Sequence, residues 1–169
     1  MPERHLAQRV LNRFQTLCKV LPPRARASYF KMLWNGWTTA ARFQQRMPCV
    51  LCRGETTEDR IEHYVHCRPF KKLLVYRMGL PERFCSLAHV FMLIDGLSEY
   101  EVTLIGIAVY SLFRASRHCK NDSLSATQLD DILRQFCFTC VRGHANAQKA
   151  LTYAFHTRFA KERPGARHA

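Results

Sequence analysis

The stretch CVLCRGETTEDRIEHYVHC, residues 49–67, places three cysteines and two histidines within nineteen positions. Cys49 and Cys52 are separated by two residues, which is the spacing of a turn whose backbone amides point at two thiolate sulfurs. Gly54 follows, and we expect it to take the positive φ that closes such a turn. No secretory signal pattern opens the chain, so clustered cysteines of this kind indicate metal ligands rather than disulfides.

A helix predicted after this turn supplies the remaining ligands. Thr57 suits an N-cap and is followed by two acidic residues, which favours helix over residues 58–67. His63 and Cys67 lie four residues apart on that helix, so their side chains share a face. The predicted ligand set is Cys49, Cys52, His63 and Cys67.

The spacing of this set, C-x2-C-x10-H-x3-C, predicts a tetrahedral site for one structural Zn²⁺ ion. Four protein ligands leave no open position for water or substrate, so the metal is not expected to do chemistry. His66 is the alternative to Cys67 as the fourth ligand, because it lies three residues after His63. Cys67 is favoured, since a thiolate binds zinc more strongly and a separation of four suits a helix better.

A second C-x2-C pair, Cys137 and Cys140, lies in a different pattern. Both residues fall on the apolar stripe of a helix predicted over residues 125–142, where cysteine fills ordinary core positions. No glycine follows to form a knuckle, and no second close pair completes a ligand set. We therefore interpret the pair as core residues, ahead of a second zinc site or a redox dithiol.

Periodicity and capping signals predict helices over most of the remaining chain. Ser98 caps one of them, and either Ser125 or Thr127 caps the next. A short helix begins at Thr38 or Thr39 and ends at Arg46. Apart from this short helix, the helices predicted outside the cysteine cluster cover residues 2–21, 23–35, 69–78, 98–118, 125–142 and 145–161.

The predicted fold class is mainly α: a helical domain with one small zinc module of the C2HC type, treble-clef or knuckle-like in form. Four segments are expected along the chain. They are a basic helical N-terminal segment over 1–47, the zinc module over 48–75, a helical bundle region over 76–163 and a flexible basic tail over 164–169.

Charge is the strongest signal in the composition. The chain has 26 Lys and Arg against 13 Asp and Glu, a net charge of +13. Residues 1–53 contain ten of these cations and a single acid, Glu3. Such a one-sided excess predicts a polyanionic partner, either RNA or DNA. The candidate nucleic-acid contacts are Arg24, Arg26, Lys31, Arg42, Arg46 and Arg53.

Aromatic residues are interleaved with these cations. Tyr29, Trp34, Trp37 and Phe43 fall among them, and such mixtures can stack unpaired bases while holding the backbone charge. Large aromatic side chains are more often core residues, however. We expect at least two of Phe30, Trp34 and Trp37 to be buried, which makes the arginines the better candidates for contact.

The segment LWNGWTTAARFQQRMPCVLCRGETTEDRIEHYVHCRPF, residues 33–70, resembles the zinc-binding region that follows the reverse transcriptase domain in non-LTR retrotransposon polyproteins. The shared features are the aromatic-Asn-Gly-Trp-Thr approach, C-x2-C, the step Glu62-His63 and the exit from Cys67 to Phe70. Residues 109–117, VYSLFRASR, more loosely resemble the helix that follows in such proteins. Two residues separate His63 from the His-Cys pair, where family members often have three.

The resemblance covers about residues 30–75 well and implies a retroelement-associated domain that binds nucleic acid, with a reverse transcriptase or a ribonucleoprotein as a possible partner. It does not extend to catalysis. The one adjacent aspartate pair, Asp130-Asp131, begins an amphipathic helix rather than a hairpin, and neither a Gly-rich phosphate loop nor an HExxH motif occurs. No enzymatic activity is expected.

A different class of function is also compatible with the sequence: a structural protein-interaction module of a ribonucleoprotein assembly. The longest charge-free apolar run, residues 102–113, is too short for a bilayer, so no membrane partner is expected. The expected location is intracellular, nuclear or cytoplasmic. An Arg-rich amphipathic opening leaves a mitochondrial location as the alternative.

Overall fold

The computed structural model describes residues 8, 12, 14, 15, 17–54, 57–91, 94, 96–120 and 124–161. For residues 158–161 it describes only the backbone. The predicted tail over 164–169 and much of the predicted helix over 2–21 lie outside these residues. The described positions between 8 and 20 are all helical.

The described part of the chain is mainly helical, as predicted, and its one bridge of β type pairs Pro48 with Glu58. Two 3-10 turns cover Ala41–Phe43 and Glu82–Phe84, and a π-helical segment, Lys72–Arg77, continues directly from α3. The α-helices are α1 Pro23–Leu33, α2 Ile61–His66, α3 Arg68–Lys71, α4 Leu87–Val90, α5 Glu99–His118, α6 Ala126–Val141 and α7 Ala145–Lys161.

The two long central helices begin at capping boxes. The Ser98 hydroxyl accepts from the Glu101 backbone N–H at 3.2 Å, and the Glu101 carboxylate accepts from the Ser98 N–H at 2.8 Å. Ser125 and Gln128 repeat the arrangement at the start of α6. Each box satisfies two backbone donors that the first turn leaves unpaired. Ser98 is confirmed as a cap, and Ser125 rather than Thr127 caps α6.

The segment after α1 is less helical than predicted. Asn35 adopts a left-handed conformation with φ 49°, which ends α1 as the Asn-Gly pair indicated. Thr39 accepts from the Arg42 N–H at 3.4 Å, but the turn over Ala41–Phe43 stops at once because Gln44 has φ 57°. The prediction of a helix ending at Arg46 was therefore wrong.

Helix α5 is the centre of the core and is packed by α1, α6, α7 and the π-helical segment. Its residues from 103 to 113 are all buried. Gly106 lies where Leu21, two residues before α1, packs against the helix. A Cβ at this position would come within 2.3 Å of the Leu21 Cδ2 atom, so glycine permits the close approach.

The cysteine-rich segment belongs to the same hydrophobic core as the long helices. Trp37 connects the two parts, since its ring centroid lies 5.9 Å from that of Tyr64 in α2 and 5.3 Å from that of Phe113 in α5. Its indole N–H donates to the Ser28 carbonyl at 3.2 Å. Trp37 is therefore one of the side chains that join the cysteine-rich segment to α5.

An ion pair joins α6 to the π-helical segment. Asp130 is buried, and its carboxylate lies 2.5 Å from the Arg77 guanidinium and 3.7 Å from the Lys72 ammonium. This position gives the aspartate a structural role between two helices. Within the part of the chain that the structure describes, no helix has the length and apolarity needed to cross a bilayer.

Candidate metal centre and basic surface

Four side chains converge to form a Cys3His cluster that can hold one metal ion. The ligand atoms of Cys49, Cys52, His63 and Cys67 all lie within 4.8 Å of one another, and no other such group occurs among the described residues. The sulfurs of Cys49 and Cys67 are 3.8 Å apart, and the Cys52 sulfur is 3.2 Å from the His63 Nε2 atom. Thiolates bonded to one tetrahedral Zn²⁺ at about 2.3 Å would stand about 3.8 Å apart.

The first pair of ligands is held by a tight turn. The Cys49 N–H donates to the Thr57 carbonyl at 2.9 Å, and the Arg53 N–H donates to the Cys49 carbonyl at 2.8 Å. The left-handed residue is Arg53, with φ 51°, so the prediction that Gly54 would take the positive φ was wrong. Gly54 instead permits close approach, because a Cβ there would meet the Thr57 hydroxyl at 3.2 Å.

The second pair of ligands comes from a shorter helix than predicted. α2 begins at Ile61 rather than at residue 58, because the Thr57 side chain bonds to the preceding turn and does not cap the helix. The Thr57 hydroxyl donates to the Gly54 carbonyl at 2.7 Å and lies 3.4 Å from the Cys52 sulfur. Thr57 therefore supports the ligand turn instead of capping the helix.

The end of α2 decides between the two candidates for the fourth ligand. Cys67 is the C-cap of α2, and its extended backbone, with φ −62° and ψ 132°, directs the sulfur into the cluster. Cys67 is fully buried, whereas His66 is exposed and lies outside the cluster. The structure thus brings Cys67 and not His66 to the other three ligands.

The buried sulfurs of Cys49 and Cys67 lie within hydrogen-bonding distance of each other. The thiol of Cys67 hydrogen-bonds to the sulfur of Cys49 and lowers the pKa of Cys49 to about 6. The same hydrogen bond, together with burial, raises the pKa of Cys67. A second negative charge in this buried pair therefore requires a nearby cation, such as a metal ion bound to both sulfurs.

A buried carboxylate, Asp59, ties a loop to the metal centre. Its carboxylate accepts hydrogen bonds from the Ala40 N–H at 2.7 Å and from the Tyr64 hydroxyl. Its own N–H donates to the Met47 carbonyl at 2.8 Å. Residues 40–47 are thereby fixed against the metal-binding segment. From its position in the sequence, Asp59 is expected only to favour the dipole of the helix that follows, and no pattern along the chain indicates these hydrogen-bond partners.

The second cysteine pair is confirmed as part of the core. Cys137 and Cys140 are 0% and 1% exposed, and burial raises the pKa of each thiol to about 12. The Cys137 sulfur lies 3.1 Å from the Ser111 hydroxyl in α5. Among the described residues, no His, Asp or Glu side chain joins this pair in a cluster that could hold a metal ion.

Three of the candidate contact residues lie on or beside the metal-binding segment. Arg42, Arg46 and Arg53 are all exposed. The Arg42 guanidinium lies 5.9 Å from the centroid of the Phe43 ring. The backbone that carries Arg42 and Arg46 is the loop that Asp59 anchors.

The other three candidates lie on α1 and contact the rest of the fold. Arg24 is exposed and donates one guanidinium N–H to the Thr139 carbonyl. Arg26 is half-buried and donates to the Cys18 carbonyl at 2.9 Å. The Lys31 ammonium lies 5.4 Å from the Phe113 ring centroid. A guanidinium has five N–H donors, so each arginine keeps donors that a phosphate can accept.

The aromatic residues of this region divide differently from the prediction. Trp37 and Tyr29 are buried, each at 1% exposure. Trp34, Phe43 and Phe30 are 68%, 57% and 45% exposed. The expectation that at least two of Phe30, Trp34 and Trp37 are core residues was wrong, since only Trp37 is.

No family model, no curated protein sequence and no solved structure matched the chain.

Proposed function

We propose that this chain is a zinc-stabilised nucleic-acid-binding domain that is not catalytic by itself. One observation carries the proposal: residues 17–54, which lead into the metal centre, contain seven Lys and Arg residues and no Asp or Glu. A surface segment normally mixes both signs, and a segment of one sign attracts a polyanion. The seven cations are Lys19, Arg24, Arg26, Lys31, Arg42, Arg46 and Arg53.

Zinc is the ion that the ligand set favours. Three cysteine sulfurs and one imidazole nitrogen are soft or borderline ligands, which exclude calcium and magnesium on chemical grounds. The sulfur spacing of 3.8 Å between Cys49 and Cys67 fits a tetrahedral ion of zinc's size. With four protein ligands the coordination is closed, so the ion stabilises the fold and does not activate water.

The metal centre would act by fixing the loop that carries Arg42 and Arg46. Asp59 lies between the ligand turn and α2, so ligand binding on both sides of it limits its movement. Through its hydrogen bonds to Ala40 and Met47, the same residue holds residues 40–47. Exposed arginines on an ordered loop lose less conformational entropy on binding phosphate than arginines on a mobile one.

The resemblance to the zinc-binding region of non-LTR retrotransposon polyproteins agrees with this proposal but does not carry it. In that setting the domain would hold nucleic acid for a reverse transcriptase or within a ribonucleoprotein. Intracellular location, nuclear or cytoplasmic, follows from the same role. These partners remain predictions of the sequence.

The test is the salt dependence of nucleic-acid binding by the purified, zinc-loaded chain. Each phosphate contact releases condensed counterion, so log affinity should fall linearly with log salt by about 0.9 per contact on duplex DNA and about 0.7 on single strands. Changing Arg42 and Arg46 together to alanine should weaken binding and flatten the slope by about one to two. The fold should be retained, since removing an exposed charge usually costs less than ~0.5 kcal/mol.

A matched control is the double change Arg142→Ala and Lys149→Ala, which removes two exposed cations at the junction of α6 and α7. Its salt slope should equal that of the wild type. Equal slopes for the Arg42/Arg46 variant and the wild type would instead favour the interaction-module alternative. Metal analysis of the same preparation should give one zinc per chain.

A further inference from the structure

Three aromatic rings form a connected row: Phe14, which precedes α1, and Phe30 and Trp34, which lie on the exposed side of α1 and at its end. The Phe14 and Phe30 ring centroids are 5.4 Å apart, and those of Phe30 and Trp34 are 5.7 Å apart. Phe14 is half-buried, whereas Phe30 is 45% and Trp34 is 68% exposed. The row therefore continues outward from the core to an indole that stands largely in solvent.

The exposure of these rings is set by the periodicity of α1. Phe30 and Trp34 are four residues apart and share one side of the helix, while the opposite side carries the buried residues Ala25, Tyr29 and Met32. Folding thus buries one face of α1 and leaves two large aromatic rings on the other face exposed to water. A single exposed aromatic residue is ordinary, but a contiguous row of them marks a surface that a ligand covers.

The charge of the chain segment that carries Phe30 and Trp34 indicates the kind of ligand. Residues 17–54 supply seven cations and no acid, so a second copy of this chain would bring like charge to the same face. A nucleic acid brings negative charge together with flat rings. In a duplex those rings are stacked on each other and hidden, whereas the bases of a single strand can stack on an aromatic side chain.

We propose that the row Phe14–Phe30–Trp34 is a stacking platform for the unpaired bases of single-stranded nucleic acid, with Trp34 as its outermost ring. The inference rests on the proposed function and names the form of nucleic acid that the domain prefers. The basic residues of the same segment hold the backbone, and the rings hold the bases. Every base has a π face, so the platform is tolerant of sequence.

The chain carries its own reporter for this contact, because it has two tryptophans in opposite environments. Trp34 is 68% exposed and Trp37 is 1% exposed. Titration with a single-stranded homopolymer such as oligo(dT) or oligo(U) should quench the Trp34 emission, and a duplex of equal length at the same salt should quench it less. Trp34→Phe, which removes the exposed fluorophore and keeps a ring, should abolish the quenching while largely retaining affinity.

Alanine substitutions separate stacking from electrostatics. Trp34→Ala or Phe30→Ala should weaken single-strand binding by roughly 5- to 150-fold and leave the salt slope unchanged, because stacking releases no counterion. Phe138→Ala is the matched control, since Phe138 on α6 is also 45% exposed. Its affinity for single strands should equal that of the wild type, and circular dichroism should show an intact fold for all three variants.

The outcomes distinguish failure of this inference from failure of the proposed function. Salt-dependent binding that responds to Arg42 and Arg46 but not to Trp34 and Phe30 would overturn the platform and leave the proposed function standing. Duplex binding as tight as single-strand binding would also overturn the platform. Absence of any salt-dependent nucleic-acid binding by the wild type would overturn both.

Discussion

Two cysteine pairs with the same spacing, Cys49/Cys52 and Cys137/Cys140, lie in opposite environments in one fold. The first pair lies on a turn with a left-handed residue after it, and its sulfurs face a histidine and a third cysteine. The second pair lies on α6, buried in apolar surroundings that raise both pKa values to about 12. Spacing alone does not make a metal site. The backbone conformation around the pair decides whether both sulfurs point at one place.

The same contrast extends to what holds each region together. The described residues between 48 and 67 form one isolated bridge and one short helix, so few backbone hydrogen bonds hold them, and the hydrogen bonds of Asp59 and the packing of buried side chains do the rest. Helices α5 to α7 have long apolar faces that pack on one another. We therefore expect the stability of the first region to depend on bound metal. The stability of the second region should depend on the volume of its buried side chains.

The largest effect is expected from Cys52→Ser. Losing one thiolate should release the metal, whose binding contributes on the order of 10 kcal/mol of apparent folding free energy in small zinc modules. The region from 48 to 67 should unfold while most of the helix in α5, α6 and α7 remains. Metal analysis and far-UV circular dichroism check this. Complete loss of the helical signal would show that the two regions fold as one unit.

Asp59→Ala should have the next largest effect on stability. The change leaves the Ala40 N–H and the Tyr64 hydroxyl buried without their acceptor, each at a cost of about 1–3 kcal/mol. Urea denaturation measures the loss. The neighbouring change Glu58→Ala removes an exposed carboxylate paired with Arg60 at 2.7 Å and should cost less than about 1 kcal/mol. Similar losses for both variants would contradict the role of Asp59 as an anchor.

A smaller loss is expected from Cys137→Ala, which tests the second region. Removing a buried sulfur leaves a cavity and should cost about 1–3 kcal/mol. The variant should still bind one metal ion per chain, because the cluster at Cys49 is untouched. A fall in metal content would show that Cys137 is a ligand after all.

The smallest effect is expected from His66→Ala. The side chain is exposed and outside the cluster, so stability should stay within about 0.5 kcal/mol and metal content should not change. His63→Ala, three residues away, should lose the metal. If His66→Ala lost the metal and His63→Ala kept it, His66 rather than His63 would be the ligand.

Features that depend on a few consecutive residues could be predicted from the sequence. A capping box acts within four positions, so Ser98 and Ser125 could be recognised from their neighbours. The two C-x2-C pairs could be assigned different environments, because Cys137 and Cys140 fall on the apolar stripe of a helix and Cys49 and Cys52 do not. Most helix boundaries followed from proline, glycine and periodicity.

Features that depend on distant residues could not be predicted. The rule that favours glycine at positive φ pointed to Gly54, but the hydrogen bond from Arg53 to Cys49 places the strained conformation one residue earlier. Two partners of Asp59, Ala40 and Met47, lie in a loop that precedes it by up to 19 residues. The exposure of Trp34 depends on which side of α1 meets α5, and periodicity alone does not specify what covers each side.

The contact between Gly106 and Leu21 has a consequence for how the sequence can change over time. A Cβ at 106 would enter the space of a buried leucine methyl group, so the two positions share one fixed volume. Enlarging position 106 should be tolerated when position 21 becomes smaller, for example in Gly106→Ala with Leu21→Val. In descendants of this chain the two sites should covary, and a substitution at one should be followed by a compensating substitution at the other.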